Sequence, residues 1–305
     1  MRACFVDAGE ALAAGFRRLR RESDPEVTIN LQPDVKPEQL PAVLAGHEIA
    51  IIDHTALPTA IAKQVPTLKH VVFLGTGARS YMNPEELKAE CGIEVHIIKG
   101  YGDTAVAEMA YTLMWTAAKG IARMDRGMRA GNWLRTDGME LTGKTVGLLG
   151  FGGIAAEMAR LCRGAGMKVL AWNRSPKTAE GVEFVELDRL LAESHILSVH
   201  LLLNDETRGF LSAERLAKLR PGAILVNTAR GAVVDEAAMV AALRSGALGH
   251  AALDVFDIEP LPAGHVLTTL ENVTLSAHSA FRTPEAGDNL VEAALNHCRR
   301  VSGAA

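Results

Sequence analysis

The sequence has few cysteines, no long apolar run and almost no excess of either charge. Its four cysteines stand far apart and form no Cys-x-x-Cys pair, so their spacing indicates neither a zinc site nor a disulfide framework. Free thiols in a reducing cytoplasm are the simplest interpretation. No segment approaches the roughly 20 apolar residues of a membrane span, and the arginine-rich N-terminus is not a secretory signal. We therefore expect a cytoplasmic protein that does not bind membranes.

The charge balance excludes a further class of partner. The 32 lysines and arginines are outnumbered by 36 aspartates and glutamates, which gives a formal net charge of −4. No global positive field therefore attracts nucleic acid. With 48% hydrophobic and 22% charged residues, the chain has an ordinary globular composition and is neither disordered nor collagen-like. A length of 305 residues favours two domains.

Short apolar runs alternate with helix-length amphipathic segments along the chain. Strands that are buried on both faces read as continuous apolar runs, and their alternation with helices is typical of parallel sheets with right-handed crossovers. The predicted strands are residues 3–6, 49–52, 71–74, 95–98, 146–149, 169–172, 196–201, 224–227, 251–255 and 273–276. The predicted helices between them include residues 84–91, 154–165, 187–192, 213–219 and 236–244. The pattern predicts an α/β fold.

Two features indicate where the chain divides. Residues 102–128 form the longest helical segment, and a turn-rich stretch at 131–143 separates it from the next strand. The last helical segment, residues 284–301, is long enough to return to the first half. We expect two Rossmann-like parallel-sheet domains, one inserted into the other. The expected domains are residues 1–100 with 281–305, and residues 101–280.

A glycine-rich turn is the sharpest local signal. The strand at 146–149 leads into Gly150-x-Gly152-Gly153-Ile154-Ala155, and a helix follows. This is the dinucleotide-binding fingerprint, with alanine as its third small residue. Gly150 permits the tight turn, Gly152 permits close approach of the pyrophosphate, and the helix N-terminus offers N–H groups. Such a turn can also serve packing alone, but the flanking strand and helix favour a nucleotide site at Gly150, Gly152, Gly153 and Ile154.

The loop after the next strand bears on which dinucleotide binds. Asn173 stands 23 residues after Gly150, where an NAD-binding fold usually has a carboxylate for the ribose 2′-hydroxyl. Arg174 and Ser175 adjoin it, and a guanidinium is suited to a 2′-phosphate. We therefore expect Asn173, Arg174 and Ser175 to favour NADP over NAD. The alternative is that Arg174 is a solvated loop charge and that Asn173 caps a turn.

A second glycine pattern is misleading. Residues 138–145 match the P-loop pattern Gly-x-x-x-x-Gly-Lys-Thr. A P-loop lies between a strand and a helix that begins at its Lys-Thr pair, whereas Lys144 and Thr145 open a strand here. A kinase or ATPase function is therefore not expected.

Polar segments follow three later strands, at residues 227–231, 254–260 and 276–280. In a parallel α/β sheet, ligands bind beyond the carboxyl ends of the strands. Arg230 in the first segment is suited to an anion, because burying an unpaired guanidinium is costly. His278 in the third segment is suited to donating a proton if a carboxylate lies near it.

These segments resemble the D-isomer-specific 2-hydroxyacid dehydrogenase family, which includes glyoxylate and hydroxypyruvate reductases, D-lactate dehydrogenases and phosphoglycerate dehydrogenases. The similarity extends over effectively the whole chain and is weakest in the first hundred residues. The matching motifs are Gly150-x-Gly152-Gly153-Ile154, Asn-Thr-Ala-Arg-Gly at 227–231, Leu-Asp-Val-Phe-x-x-Glu-Pro at 253–260, the His278 segment with Thr-Pro-Glu-Ala at 283–286, Val-Ala-Glu at 106–108, and His200-x-x-Leu203 with Thr207.

The resemblance implies a role for each motif residue. His278 would donate a proton to the substrate carbonyl as NAD(P)H transfers hydride to C2, and Glu259 would hydrogen-bond and orient the His278 ring. Arg230 would bind the substrate carboxylate and polarise the carbonyl, and Asp254 would hold the nicotinamide carboxamide. The other implied contacts are Leu203, Thr207 and Thr228 in the dinucleotide-binding domain, and Gly75, Thr76 and Gly77 in the substrate domain.

Simpler roles stay open for these residues. Arg230 could form a structural ion pair, and Glu259 could merely cap the turn before Pro260. Asp254 could be a buried structural hydrogen-bond acceptor, and Gly75 and Gly77 could serve a turn only. The sequence also departs from the family pattern, with Ala277 and Leu202 where proline is common and Asn204 where threonine is common.

The resemblance implies a reductase of small 2-keto acids of the glyoxylate or hydroxypyruvate type, without a metal. A phosphoglycerate or D-lactate-type dehydrogenase is an alternative, although Arg79 is the one cation near Gly75 for a phosphate. From another class, a nucleotide-sensing corepressor is an alternative that needs no proton donor such as His278. The resemblance also implies a homodimer around residues 102–128, whose apolar side chains could instead pack within the domain.

Overall fold

The continuous apolar runs of the sequence form parallel strands in the computed structural model, which describes residues 1–303. They belong to two sheets in two units. One unit comprises Met1–Gly102 and the C-terminal segment from Thr283, and the other is Asp103–Arg282. Both units are Rossmann-like α/β domains, and the second is inserted into the first.

The first unit contains a sheet of five parallel strands with the order β2-β1-β3-β4-β5. All the residues of β3 are buried, as expected for an inner strand that is covered on both faces. The strands are β1 (Ala3–Phe5), β2 (Val27–Ile29), β3 (Ile49–Ile52), β4 (His70–Phe73) and β5 (Glu94–Ile97). The helices between them are α1 (Glu10–Leu19), α2 (Leu40–Val43), α3 (Thr59–Ala62) and α4 (Pro84–Cys91).

The second unit contains a sheet of seven parallel strands with the order β12-β11-β10-β9-β6-β7-β8. The strands are β6 (Thr145–Leu149), β7 (Lys168–Trp172), β8 (Glu183–Phe184), β9 (Ile196–Val199), β10 (Ala223–Asn227), β11 (Leu248–Leu253) and β12 (Val273–Leu275). The helices are α5 (Asp103–Lys119), α6 (Ile121–Arg129), α7 (Gly153–Gly164), α8 (Leu187–Glu193), α9 (Ala213–Ala217) and α10 (Glu236–Ser245). The order changes direction beside β6, which is where open α/β sheets bind ligands.

The last helix, α11 (Pro284–Ser302), returns to the first unit. Its N-cap is Thr283, whose side chain accepts a hydrogen bond from the Ala286 N–H, and proline at the first position suits a helix start. Leu290 and Leu295 on its buried face pack in the same core as Phe5. Burying each such leucine contributes about 2 kcal/mol.

The structure corrects several predicted elements. The strands expected at 196–201 and 251–255 are Ile196–Val199 and Leu248–Leu253. The helix expected over 102–128 is interrupted at Gly120, which has a φ of 66° and separates α5 from α6. A Cβ on Gly120 would lie 2.6 Å from Thr136 Oγ1, so this close approach requires glycine. The misleading Lys144-Thr145 pair does lead into strand β6. Within residues 1–303, no helix is long and apolar enough to cross a membrane.

Candidate active site

The strand register of the second unit aligns five loop positions. Leu149 pairs with Val199, Val199 with Asn227, Asn227 with Leu253, and Leu253 with Leu275. The residue that follows each of these therefore lies at the same carboxyl edge of the sheet. These residues are Gly150, His200, Thr228, Asp254 and Ser276. Sequence positions that are up to 126 residues apart (150 to 276) are thus brought into one row.

The glycine turn has the shape that a dinucleotide requires. Gly150 has a φ of 91°, and a Cβ there would lie 2.8 Å from the His200 backbone oxygen. Gly152 is different, because no atom of the described chain lies within 4 Å of its Cβ position. Gly152 is also the N-cap of α7, so no side chain occupies the first N–H groups of this helix. A pyrophosphate can approach the backbone here.

Gly153 serves packing as well as the turn. A Cβ on Gly153 would lie 1.8 Å from Asp103 Oδ2 at the start of α5. Burial, and secondarily the charge of Glu157, raises the pKa of Asp103. Asp103 was not among the residues expected at this turn, because no spacing from the glycine motif indicates it. Ile154, the next residue, is half-buried.

Asn173 connects the glycine turn with the loop after β7. Its Oδ1 accepts a hydrogen bond from the Phe151 N–H at 3.2 Å, and its Nδ2 donates to the Ser175 carbonyl at 2.8 Å. Lys177, which the sequence analysis did not single out, donates to the Phe151 carbonyl at 2.5 Å. Arg174 forms an exposed ion pair with Glu206. Asn173 thus caps a turn, which was the alternative considered from the sequence. The loop also contains two cations, Arg174 and Lys177.

The loop after β9 is organised by Thr207. Its Oγ1 donates to the Leu202 carbonyl at 2.6 Å, and it accepts from the Asn204 N–H at 2.8 Å. Asn204 Oδ1 in turn accepts from the Thr207 N–H at 3.0 Å, as in an Asx turn. Asparagine at 204 therefore still supports a tight turn. Leu203 within this turn is half-buried.

Two buried polar atoms at the carboxyl edge have no partner in residues 1–303: Thr228 Oγ1 and His200 Nε2. Burial lowers the pKa of His200 to about 4, so its imidazole is neutral at pH 7. A buried polar atom without a hydrogen bond costs about 1–3 kcal/mol. Together with the open position at Gly152, these atoms fit a bound dinucleotide that supplies the missing partners.

Arg230 lies in the loop after β10, before a short 3-10 helix, Gly231–Val233. A buried guanidinium was expected from the sequence, but Arg230 is exposed because it stands three residues beyond the strand. Its Nη1 donates to its neighbour's carbonyl at 2.6 Å, and no described carboxylate forms an ion pair with it. The structural ion pair considered as an alternative is therefore not formed in the described chain.

Gly231 holds the Arg230 loop against the loop after β11. A Cβ on Gly231 would lie 2.0 Å from the Phe256 carbonyl carbon and 2.3 Å from the Asp257 nitrogen. No other residue type fits without displacing the backbone. The loop with Arg230 and the loop with Glu259 are therefore in direct backbone contact.

Asp254 is fully buried and organises the loop that carries His278. Its Oδ1 accepts from Ser276 Oγ at 2.6 Å and from the Ser279 N–H at 3.1 Å, and its Oδ2 accepts from the Ala280 N–H at 3.0 Å. Asp254 therefore makes the contacts of a buried structural hydrogen-bond acceptor, which was the alternative considered from the sequence. The contact of Asp254 with a nicotinamide carboxamide stays a prediction.

His278 and Glu259 lie in direct contact. His278 Nδ1 is 2.5 Å from Glu259 Oε2, and Glu259 Oε1 accepts from the Phe256 N–H at 2.8 Å. Their side chains are 37% and 32% exposed, so both reach solvent. The predicted pair of a histidine and an orienting carboxylate is thus present, and Nε2 faces away from the carboxylate as the second ring nitrogen.

In the first unit, residues 75–77 follow β4. Gly75 is buried with a φ of 150°, and its carbonyl accepts a hydrogen bond from the Ile98 N–H at 3.0 Å. Thr76 is exposed, and no described atom lies within 4 Å of a Cβ on Gly77. Arg79 is paired with Glu85. The loop therefore has room on its outer side, and its nearby cation forms an exposed pair.

Asp7 and His54 also follow strands at the carboxyl edge of the first sheet, and they were not among the residues expected from the sequence. Asp7 follows β1, is fully buried, and accepts from the N–H groups of residues 53, 54 and 55 at 2.9, 2.8 and 2.7 Å. His54 follows β3, and its Nε2 lies 2.7 Å from the Pro33 carbonyl. The rule that polar residues follow strands at the binding edge would have found both.

Comparisons with known proteins agree with this geometry. A model of the family described as "D-isomer specific 2-hydroxyacid dehydrogenase, NAD binding domain" matches residues 111–280. The chain is 39% identical to a glyoxylate reductase of Aeropyrum pernix over 293 residues, which covers 90% of this chain and 86% of that protein. It is 35% identical to a hydroxypyruvate reductase of Thermotoga maritima, which covers 90% of this chain and 91% of that protein.

Solved structures show the same architecture. A glyoxylate reductase from Paecilomyes thermophila has a TM-score of 0.86 at 27% identity, with 99% of this chain and 95% of that chain covered. A protein from Thermus thermophilus has a TM-score of 0.86 at 30% identity, with 99% and 97% covered. The chain belongs to the D-isomer-specific 2-hydroxyacid dehydrogenase family, and it is an oxidoreductase that uses a nicotinamide dinucleotide.

Proposed function

We propose that the protein reduces small, unphosphorylated 2-keto acids of the glyoxylate or hydroxypyruvate type to D-2-hydroxy acids, with NADPH as the preferred cofactor. The contact between His278 and Glu259 carries this proposal. A protein that only senses a nucleotide does not need a histidine held by a carboxylate, whereas a keto-acid reductase needs a proton donor at the carbonyl.

In the proposed mechanism, the dinucleotide is held by the glycine turn, the Asn173 loop and the Thr228 hydroxyl, with Leu203 and Thr207 beside it. When bound in its reduced form, it supplies a hydride to the substrate C2. His278 Nε2 donates a proton to the C2 oxygen, while Glu259 holds Nδ1 and stabilises the protonated ring. Arg230 binds the substrate carboxylate, because its guanidinium has the fork geometry that carboxylates match.

The surroundings favour a small substrate without a phosphate. The Thr76 and Gly77 N–H groups can bind the substrate carboxylate, whereas the Gly75 N–H already donates to the Phe73 carbonyl at 2.9 Å. Arg79, in an exposed pair with Glu85, is the one cation near this loop. A phosphoglycerate substrate would need additional cations there. The curated relatives named above act on glyoxylate and hydroxypyruvate by their names, which supports the same substrate class.

A steady-state screen tests this function. NADPH oxidation is measured with about ten 2-keto acids, including glyoxylate, hydroxypyruvate, pyruvate and 3-phosphohydroxypyruvate. We expect turnover of small unphosphorylated acids, and a loss in kcat on the order of 10²–10⁴-fold in His278→Gln. Nucleotide binding without turnover of any acid would support the sensor instead, and unchanged turnover in His278→Gln would overturn the role of His278.

The cofactor preference rests on the absence of a carboxylate at residue 173 and on the cations Arg174 and Lys177. The Arg174 ion pair with Glu206 is exposed and therefore weak, so a 2′-phosphate can replace Glu206. We expect a higher kcat/KM with NADPH than with NADH, and a shift toward NADH in Asn173→Asp because a carboxylate repels the phosphate. A clear NADH preference of the unaltered protein would contradict this.

A further inference from the structure

Two imidazoles and a carboxylate meet in the first unit, on strands β4 and β5 and away from the proposed substrate loop. His70 is the first residue of β4 and pairs in register with Glu94 on β5, and His96 lies two residues further along β5. His70 Nδ1 is 3.2 Å from His96 Nε2 and 3.9 Å from Glu94 Oε2. One ligand atom from each of the three residues lies within 4.8 Å of the others.

The spacing of the two imidazoles fits a shared metal ion. Two nitrogen ligands at about 2.0–2.1 Å from a tetrahedral ion are separated by about 3.3 Å, and the observed separation is 3.2 Å. The two rings can therefore bind one ion with little movement. The Glu94 side chain is 51% exposed, so it is free to rotate and shorten its distance to the same point.

The chemistry of the ligand set selects the class of metal. Imidazole and carboxylate together suit Zn²⁺, Ni²⁺, Cu²⁺ and Co²⁺, whereas Mg²⁺ and Ca²⁺ prefer sites made of oxygen atoms. Burial lowers the pKa values of His70 and His96, so both rings are neutral at pH 7, which is the form that binds metals.

The alternative explanation is a single hydrogen bond between the two rings. That bond would satisfy the two facing nitrogens, but it gives no role to Glu94, whose Oε1 lies 3.7 Å from Lys88 Nζ in an exposed pair. A third imidazole lies beside the cluster, since the ring centroid of His297 on α11 is 5.5 Å from that of His96. Arg300 Nη2 lies 2.8 Å from His297 Nδ1, so His297 is already engaged and is not counted as a ligand.

The cluster is separate from the proposed substrate loop. His70 begins β4, and Gly75 follows the other end of the same strand. At about 3.3 Å per residue, the two are roughly 16 Å apart. A metal at the cluster would therefore act on the stability of this sheet edge and not on hydride transfer.

We propose that His70, Glu94 and His96 form a binding site for one divalent transition-metal ion, with Zn²⁺ as the reference ligand. The ion would join β4 and β5 at the edge of the sheet through side chains, and would stabilise the folded state by binding it selectively.

Isothermal titration of the chelator-treated full-length protein with ZnCl₂ tests this site. We expect one Zn²⁺ per chain and a rise in Tm on binding. His70→Gln and His96→Gln should each weaken binding by at least about tenfold, and Glu94→Gln should weaken it less, because each change removes one ligand. His265→Gln is the matched control. His265 lies 3.1 Å from Glu236, but no second imidazole of the described chain joins this pair to form a metal-binding group. The control should bind Zn²⁺ like the unaltered protein.

X-ray absorption of the zinc-loaded unaltered protein provides a test that needs no variant. Scattering from two imidazoles and from oxygen ligands is expected. Sulfur ligands, absence of stoichiometric binding, or binding that persists in both histidine variants would overturn the proposal.

Discussion

At His278, the backbone and the side chain are held by different partners. The residue has a φ of 47°. This backbone conformation is uncommon for residues other than glycine and costs on the order of 1–3 kcal/mol. Its N–H donates to the Asp254 carbonyl at 2.7 Å, and the Asp254 carboxylate holds the next two N–H groups. The buried carboxylate thus fixes the loop, while Glu259 fixes the ring.

This geometry predicts the effect of Glu259→Gln. Glutamine can still accept from the Phe256 N–H, but its NH₂ group would then face His278 Nδ1 and disfavour a protonated ring. We expect kcat to fall on the order of 10²-fold, while KM for the keto acid changes by less than about threefold. Steady-state kinetics at saturating NADPH measure both constants.

The matched control is Asp257→Asn, which removes an exposed carboxylate from the same loop. Its kcat should stay within about twofold of the unaltered value, because Asp257 contacts Arg208 only weakly, at 4.0 Å. A similar loss in both variants would mean that Glu259 acts through loop charge and not through the ring.

Contacts between candidate residues could be predicted from the sequence where a motif places each group after a strand. The contact between Glu259 and His278 was expected, and the structure contains it. The exposure of Arg230 and the three loop contacts of Asp254 could not be predicted, because they depend on how loops fold beyond the strands. Local spacing contains no information on such contacts.

At the scale of elements, α11 is attached to the first unit by a buried ion pair. Arg299 Nη2 donates to Asp24 Oδ2 at 2.9 Å, and both side chains are at most 8% exposed. Arg299→Met would leave the Asp24 carboxylate buried without its partner. We expect a loss of about 3–5 kcal/mol in the free energy of unfolding, measured by urea denaturation.

Arg18→Met provides the comparison for α11, since Arg18 pairs with Asp288 on the same helix in an exposed position. An exposed pair contributes at most about 1 kcal/mol, so this variant should be nearly as stable as the unaltered protein. Equal losses in the two variants would show that burial is not the cause.

The edge of the second sheet predicts a pH dependence of stability. His250 on β11 contacts Thr274 Oγ1 on β12 at 2.9 Å, and burial, then the charge of Arg126, lowers its pKa to about 4. Between pH 6.5 and 4 the unfolded chain binds a proton that the folded chain does not, so stability falls as pH falls through this window. From pH 7 to 5 the loss due to His250 is about 2 kcal/mol.

Urea unfolding of the unaltered protein and of His250→Gln at pH 7 and pH 5 measures this contribution. The variant should lose less stability on acidification, although His200, whose pKa is also about 4, contributes in both proteins. An identical loss in the two proteins would contradict the assignment to His250.

Two elements were predicted from the sequence with their observed bounds. The strand expected at 49–52 matches β3 because it is a uniform apolar run, and the helix expected at 84–91 matches α4 because Asn83 caps its start and Gly92 ends it. The strands β2 and β8 have three and two residues, too few to form a periodic pattern. The break at Gly120 depends on contact with Thr136, 16 positions later.

At the scale of the whole molecule, an apolar surface on the second unit favours the proposed homodimer. Trp133 is 75% exposed, and Ile121 and Met128 on α6 are 50% and 49% exposed. Ile121 and Met128 are seven residues apart and so lie on one face of α6, and exposed apolar side chains that share a face are typical of interaction sites. The alternative, packing of α5 within its own unit, also occurs, since Leu113 and Met114 are buried there.

We expect a dimer at micromolar concentration in sedimentation velocity, and a shift toward monomer in Trp133→Glu. Leu31→Glu, at a 51% exposed position of the first unit, is the control and should leave the sedimentation coefficient unchanged. A monomeric unaltered protein would contradict the dimer, and dissociation in both variants would place the interface elsewhere.

The backbone contact at Gly231 has a consequence for how this enzyme can be altered. With a Cβ position only 2.0 Å from the Phe256 carbonyl carbon, Gly231 leaves no room for even a methyl group between the Arg230 loop and the loop that carries Glu259. Laboratory evolution toward bulkier acids should therefore accumulate changes in flanking side chains and leave this position invariant.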